Sequence, residues 1–405
     1  MIHKDMNRKR ILFVCGVFFP ETVVSARLQT DLAIALSRHY QVTVLRPRPT
    51  RPKGFSFPDY NYMELPFKVI EFDSYTCPES SLLGRFRESF SHGRWCARYI
   101  RGNHDEIDLI YNDSWHLFGV YQVAKAACQY GIPYITPVQD VYPESLTSKM
   151  PNVSFLKWLT MLLLRPIDYF VLSHAIKIQT NSEKMANYLS ESRNLSRERF
   201  VVVRNWQDEK PFIENAQAKN DRKNSTFFTF MYLGNIGQLA GIETLLEAFS
   251  MINNESTRLV IAGSGPAKDN LQKIARHYSC HIEFWDVPAG KVPEMQAMAD
   301  VLLLPVRKGF AKFSVPSKLV AYMLSAKPII ACVDADSDSA ECIEKSGAGW
   351  VVKPEDPLSL SETMQSVCCE SSNVLKAKGK RGFEFAIKEF SKDSNCRLLC
   401  KVFEQ

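Results

Sequence analysis

Short apolar runs of four to seven residues, rich in Val, Ile and Phe, alternate along this chain with segments of helical period, and the alternation restarts once. The first series places strands at residues 10–15, 41–45, 68–72, 109–111, 133–137, 175–180 and 200–203. A helix over 25–37 carries Leu28, Leu32 and Leu36 on one face. Residues 207–226 are polar and read as a linker. The second series places strands at 228–233, 258–262, 282–284, 301–304, 328–331 and 349–352, and a last helix over 382–403. Alternation of this kind builds a parallel sheet covered by helices. The reading is an α/β chain of two doubly wound, Rossmann-like domains facing a cleft at the carboxyl ends of their strands. The boundaries fall at 1–205, 206–381 and 382–405, the last a helix that crosses back to the first domain.

Bulk properties narrow the class. At 405 residues the chain suits two domains, and 45% apolar with 23% charged residues is ordinary for a globular protein. Eleven cysteines form no regular framework, which points to a reduced, cytoplasmic chain. Cys396 and Cys400 lie four apart without a nearby His or second Cys pair, too few ligands for a structural zinc. The N-terminus reads as a charged segment followed by a strand rather than a secretory leader. No uncharged run reaches the ~20 residues of a membrane span. The most apolar stretch, 155–176, is broken by Lys157, Arg165 and Asp168. Residues 1–205 carry a net charge of +7 and the remainder −1, so an anionic partner is expected on the N-terminal side. No nucleic-acid-binding module is recognisable, so nucleic acid is not expected; a membrane surface or phosphate-bearing acceptor fits the charge.

Several stretches could carry chemistry. Val315-Pro316-Ser317-Lys318 opens a helix after a basic loop with Arg307, Lys308 and Lys312. Free backbone N–H groups, the helix dipole and Lys318 combine into an anion site, flanked by the hydroxyls of Ser314 and Ser317. Gly234-Asn235-Ile236-Gly237 and Gly263-Ser264-Gly265-Pro266 each end a strand, either as plain turns or as places where backbone meets a ligand. Asp334 and Asp336 follow a strand and could hold a divalent cation, but capping of the next helix is the preferred reading, and no metal is expected. In the first half, Asp113, His116 and Asp140 follow strands and could orient or deprotonate an acceptor hydroxyl, with Asp140 slightly ahead. Arg85, Arg87, Arg94, Arg98 and Arg101 interleave with Phe86, Phe90, Trp95 and Tyr99. Together with Trp158, Leu159, Leu162 and Leu163 they suit either a headgroup interface or a core helix with snorkelling ends.

The stretches Val138-Gln139-Asp140-Val141-Tyr142-Pro143-Glu144-Ser145, Tyr232–Gly237, Ala262–Pro266 and Pro316–Leu319 together resemble glycosyltransferase family 4, with its two-domain GT-B fold. The similarity is closest to L-fucosamine-type transferases of O-antigen and capsular polysaccharide assembly. The resemblance implies a metal-independent, retaining transferase that moves a sugar, an N-acetylated deoxyhexosamine, from a UDP-sugar to a lipid-diphosphate-linked saccharide. It implies no cofactor, and a peripheral place on the inner face of the cytoplasmic membrane. The donor would lie against Gly234, Asn235, Gly263, Ser264, Gly265, Arg307, Ser314, Ser317 and Lys318. The chain departs from the family where paired glutamates are usual, at Phe313 and Ala321, and where an Arg and a Lys are usual, at about Asn235 and Ala240. The glycine pair usual after the first strand is also replaced, near residues 23–26. These departures leave two alternatives open: a catalytically degenerate binding protein, or a nucleotide-sugar epimerase on the same fold.

Overall fold

The computed structural model describes residues 8–21, 23–51, 57, 64–77, 82–114, 117–148, 150, 153–217, 227–237, 240–309 and 315–404. His116, Lys312, Phe313 and Ser314 fall outside them. The chain divides into two compact units, Met1–Val203 with Cys396–Gln405, and Arg204–Asn395.

The first unit opens with β1 (Arg10–Cys15), α1 (Val24–Ser37), β2 (Gln41–Pro47), β3 (Lys68–Phe72) and α2 (Leu82–Asn103). It continues with β4 (Leu109–Asp113), α3 (Phe118–Gln129), β5 (Tyr134–Val138), α4 (Glu144–Ser148) and α5 (Ser154–His174). Then come β6 (Lys177–Thr180), α6 (Glu183–Arg193) and β7 (Phe200–Val202). The strands form one parallel sheet in the order β3-β2-β1-β4-β5-β6-β7. The Val, Ile and Phe residues of β1, β2, β4, β5 and β6 are mostly buried, as expected of a sheet covered on both faces, while those of the edge strands β3 and β7 are mostly half-buried. The strand order reverses between β1 and β4, where open α/β sheets leave a crevice for ligands.

The second unit begins with α7 (Lys210–Gln217), β8 (Phe228–Leu233), α8 (Ile242–Ser250), β9 (Thr257–Ala262) and α9 (Lys268–Ala275). It proceeds through β10 (Ile282–Trp285), α10 (Val292–Ala297), β11 (Val301–Pro305), α11 (Ser317–Leu324) and β12 (Ile329–Cys332). The last elements are α12 (Asp338–Ser346), β13 (Gly349–Val352), α13 (Pro357–Cys368) and α14 (Ser372–Phe390), followed by α15 (Lys392–Glu404), which belongs to the first unit from Cys396 onward. The parallel sheet runs β10-β9-β8-β11-β12-β13 and reverses between β8 and β11. Successive residues of β8 point to opposite faces. Met231 and Leu233 pack with α11 residues and Phe390, while Phe230 and Tyr232 pack with Leu245, Phe249, Leu360 and Met364.

Two expectations about element boundaries need correction. The polar stretch 207–226 contains α7, because Phe212 is buried in the core and Glu209 accepts a hydrogen bond from the Lys392 backbone N–H at 3.1 Å. The terminal helix is two helices, broken at Ser391. There the Gln207 N–H bonds the Phe390 carbonyl at 3.1 Å, and the Ser391 hydroxyl accepts from the Ser394 N–H at 3.3 Å. The end of α15 packs in the first unit, with the buried Phe403 ring 6.3 Å from that of Tyr40 and 5.7 Å from that of Tyr111. Phe403→Ala should therefore destabilise the first unit by about 3–5 kcal/mol through lost burial and a cavity. Urea unfolding of the variant beside the parent measures it.

Candidate active site

The second unit's switch point is built from two interlocked turns. The β8–β9 ladder, with Leu233 opposite Ala262, continues past the strands. The Gly234 N–H donates to the Ala262 carbonyl at 3.0 Å, and the Ile236 N–H to the Ser264 carbonyl at 2.8 Å. Gly263 and Gly265 have φ of +135° and +156°, where side chains are strained. A Cβ on Gly263 would stand 2.0 Å from the Gly234 carbonyl oxygen, and one on Gly265 would stand 2.3 Å from that of Ile236. These glycines let the two turns close on one another. Asn235 and Ser264 are exposed at the tips.

Lys318 lies across this assembly. It is the second residue of α11, after Ser317, which is exposed. A Cβ on Gly234 would stand 2.5 Å from the Lys318 Cδ, so the bare glycine gives the lysine stem its path. The ammonium donates to the Tyr232 hydroxyl at 2.8 Å and sits 4.9 Å from that ring's centroid. The Tyr232 hydroxyl in turn donates to the Asn235 carbonyl at 2.6 Å. One turn along α11, the buried Tyr322 hydroxyl accepts from the Leu233 N–H at 2.8 Å and donates to the Leu233 carbonyl at 3.0 Å. This clamps the helix to the end of β8. Burial lowers the Lys318 pKa. Among the described residues its ammonium meets no carboxylate, so its charge is open to an incoming anion.

Arg307 differs. Its guanidinium is 3.3 Å from Glu243 and 3.8 Å from Glu355, so acids already engage it. Asp334 accepts the Gly309 N–H at 2.6 Å, and Ser337 caps α12 by accepting from the Ala340 N–H at 3.2 Å. Among the described residues no group of three His, Cys, Asp or Glu side chains is placed to hold a metal ion.

In the first unit, Asp113 ends β4 opposite Cys15 of β1, at the point where strand order reverses. Its carboxyl is half-buried, and burial pushes its pKa up to about 7. Asp140 is exposed in the loop after β5. That loop is fastened by Arg193 of α6, whose side chain is fully buried. Arg193 donates to the two Glu144 oxygens at 2.6 and 2.9 Å, to Asp168 at 2.8 Å and to the Tyr142 carbonyl at 2.9 Å. Burial alone would raise Glu144, but the Arg193 hydrogen bonds and charge outweigh it and hold its pKa below the ordinary value. Burial dominates at Asp168, whose pKa rises to about 6. The loop after β1 is held in the same manner. Buried Arg46 lies 3.3 Å from Glu21 and donates to the Phe18 carbonyl at 3.1 Å. Glu21 accepts the backbone N–H groups of Phe18, Thr50 and Arg51 at 2.9–3.0 Å.

Sequence reading missed Tyr232, Tyr322, Arg193 and Arg46. Tyr232 lay in the family-like stretch Tyr232–Gly237, and Tyr322 left a signal of its own, four residues from Lys318 on one helix. The structure brings Lys318 together with Gly234, and the Gly234–Gly237 turn together with the Gly263–Gly265 turn.

Comparison with known proteins agrees with this architecture. Residues 228–369 match the family model described as glycosyl transferases group 1, and residues 25–206 the model described as glycosyl transferase 4-like domain. The chain belongs to this glycosyltransferase family and has the GT-B fold of two parallel-sheet α/β domains. The probable glycosyltransferase WbjE of Pseudomonas aeruginosa is 28% identical over 254 residues, 59% of this chain and 60% of that protein. The putative colanic acid biosynthesis glycosyl transferase WcaI of Escherichia coli is 25% identical over 187 residues, 44% of this chain and 46% of that one. The chain thus matches about half the length of these curated relatives. Among solved structures, Anabaena HepE in complex with UDP superposes with a TM-score of 0.68 at 14% identity, over 98% of this chain and 99% of that one. WaaG, a glycosyltransferase involved in lipopolysaccharide biosynthesis, gives a TM-score of 0.63 at 16% identity, over 97% and 99%.

The interlocked turns make a direct test. Gly263→Ala should destabilise the second unit by about 1–3 kcal/mol through overpacking and a strained φ. Gly237→Ala should change little, since its nearest contact would be 3.4 Å away. Thermal melts of the two variants and the parent separate the effects.

Proposed function

We propose that this chain transfers a sugar from a UDP-sugar to a lipid-linked saccharide in surface-polysaccharide assembly. The observation that carries the reading is Lys318, a half-buried cation at a helix start, open to an anion at the sheet's switch point. The donor diphosphate would meet the Lys318 ammonium and the free N–H groups at the start of α11. As the bond from the anomeric carbon to the diphosphate breaks, negative charge grows on the leaving oxygen and these groups stabilise it. The acceptor oxygen bonds the anomeric carbon on the face from which the diphosphate departs, so the configuration is kept, and its proton passes to a base. Asp113 is our choice for that base in place of Asp140, because burial sets its pKa near neutrality whereas Asp140 stands in solvent.

UDP is favoured by the nucleotide that HepE binds, and a surface polysaccharide by the names of WcaI and WaaG. On this reading the enzyme is retaining and metal-independent, takes an N-acetylated deoxyhexosamine into O-antigen or capsule, and needs no cofactor. We place it on the inner face of the cytoplasmic membrane as a peripheral protein. No described helix is long and apolar enough to cross a membrane, while α5 exposes Phe155, Trp158, Leu162 and Leu163 beside Lys157 and Arg165.

A second reading, a nucleotide-sugar-binding protein without catalysis, is favoured by Ala321. It is buried in an apolar cluster, at the position where the resemblance to family 4 implies an acid. Transfer of radiolabelled sugar to a membrane-extracted acceptor distinguishes the two. Lys318→Ala should lower kcat by about 10²–10³ with the fold intact, since Tyr232 and Tyr322 keep their own backbone bonds. Parent-like turnover in that variant rejects the donor assignment, and UDP binding without any transfer by the parent favours the second reading.

The base assignment has its own signature. Asp113 acts only when deprotonated, so kcat/KM should rise with pH through about 7 and level off above it. Asp113→Asn should remove that limb and lower the rate by about 10²–10⁴. A pH profile whose limb persists in the variant excludes Asp113.

A further inference from the structure

Beside the carboxyl end of β3, the edge strand of the first unit, lies a groove of about 580 Å³. One wall is the chain just after β3, residues 73–75, and the other is a face of α2. Arg87, Arg94 and Arg98 stand along that face at intervals of seven and four residues, so successive helical turns bring them to one side. Aromatic rings lie between them. Trp95 stacks on Phe72 with centroids 5.3 Å apart and planes at 17°. The Arg87 guanidinium sits 4.3 Å from the Tyr75 centroid, and that of Arg98 sits 5.6 Å from the Trp95 centroid. The walls are joined, because the Tyr75 N–H donates to the Ser91 hydroxyl at 3.0 Å.

Charge accounting singles this groove out. Asp73 is the one acid lining it among the described residues, and it lies 3.2 Å from Arg48 outside the groove. Glu88, also on α2, is buried and taken by Arg51 at 2.7 Å and Arg85 at 3.4 Å. Among the described residues no carboxylate pairs with Arg87, Arg94 or Arg98. Three forked cations over an aromatic floor fit a phosphate ester attached to a sugar: guanidiniums grip phosphate oxygens in pairs, and the ring faces take the apolar face of a pyranose.

The sheet register connects the groove to Asp113. Asp113 pairs with Cys15, Val14 with Leu45 and Arg46 with Glu71, so the ends of β4, β1, β2 and β3 stand in one row. Three strand spacings separate Asp113 from the end of β3, or about 14 Å. A short oligosaccharide spans that distance. We propose that the α2 groove is a phosphate-ester subsite in which Arg87, Arg94 and Arg98 hold the phosphate-bearing end of the acceptor while its free hydroxyl reaches the end of β4. This rests on the lipid-linked acceptor reading above and adds where the acceptor's phosphate is held.

The triple variant Arg87→Gln/Arg94→Gln/Arg98→Gln tests it, since the three exposed side chains can change without disturbing the core. Transfer is measured to two acceptors of one saccharide, a detergent-solubilised lipid diphosphate and a neutral alkyl glycoside. The variant should raise KM for the diphosphate acceptor by about tenfold or more, as expected for lost charge-assisted hydrogen bonds. Its kcat, its KM for the neutral glycoside and its donor hydrolysis should match the parent. Equal KM changes on both acceptors, or none on either, overturn the subsite. Loss of binding to phosphatidylglycerol vesicles with an unchanged KM for the solubilised diphosphate overturns it in favour of bilayer headgroups. A direct measurement stands if no transfer is found at all. In a Lys318→Ala background, inorganic pyrophosphate should quench Trp95 fluorescence saturably. Trp95→Phe should abolish that signal, and the triple variant should weaken it at least tenfold. An identical titration with and without the arginines overturns the subsite independently of the catalytic reading.

Discussion

The second unit turns on a place where no side chain can stand. The Gly234 carbonyl oxygen stands 2.0 Å from the position that a Cβ on Gly263 would take. Because the two backbones touch there, the turns after β8 and β9 lock into one ridge, extended by the hydrogen bonds of Gly234 and Ile236. Gly234, itself bare, leaves the channel in which the Lys318 stem runs to Tyr232. One steric constraint therefore fixes the turn, the turn fixes the path of the lysine, and the Tyr322 hydroxyl holds the helix that carries it. A larger residue at Gly263 would displace the charge without touching it.

The first unit uses buried charge for the same end. Arg46 and Arg193 have fully buried side chains, and each gathers backbone carbonyls and carboxylates from loops at the carboxyl side of the sheet. A guanidinium removed from water is costly unless all its donors are met, so each fixes its loop in the single arrangement that meets them. Removing Arg46 would leave Glu21 its backbone donors but no cation, and removing Arg193 would leave Glu144 and Asp168 without the cation they share, which costs more than the pair contributes. The loops after β1 and β5 thus hold their shapes through cores of charge under polar sequence.

What the sequence could say follows from the range of the interactions. The strands were legible because a parallel sheet covered on both faces demands unbroken apolar runs, and 11–15, 230–233 and 301–304 are such runs. Lys318 was legible because loop, cation and helix start are adjacent in the chain. The glycine turns were visible as motifs, but their partners were not: each proved to be the other's, about thirty residues away. Arg307 read as a free cation because Glu243 and Glu355 lie far from it in sequence. The break at Ser391 was hidden for a similar reason, since it depends on Gln207. Asp113 and Asp140 looked alike in composition, and only burial separates them.

Burial also gives the two switch points a common logic. At the end of β8 it depresses the pKa of a lysine, and at the end of β4 it raises that of a carboxyl. Each group is pushed toward its neutral form, so each gains from a ligand that supplies what solvent no longer does. On the proposed reading, a diphosphate would return to Lys318 the counter-charge it lacks, and anion binding there would be stronger than at an exposed lysine. On the same reading, an acceptor hydroxyl would bring Asp113 a proton that its environment already favours. Arg307 gains less, because arrival of an anion must compete with Glu243 and Glu355. On the proposed reading the second unit therefore concentrates its hold on the donor in Lys318 and the backbone beside it. The exposed guanidiniums of α2 leave recognition of a second anion to the other unit.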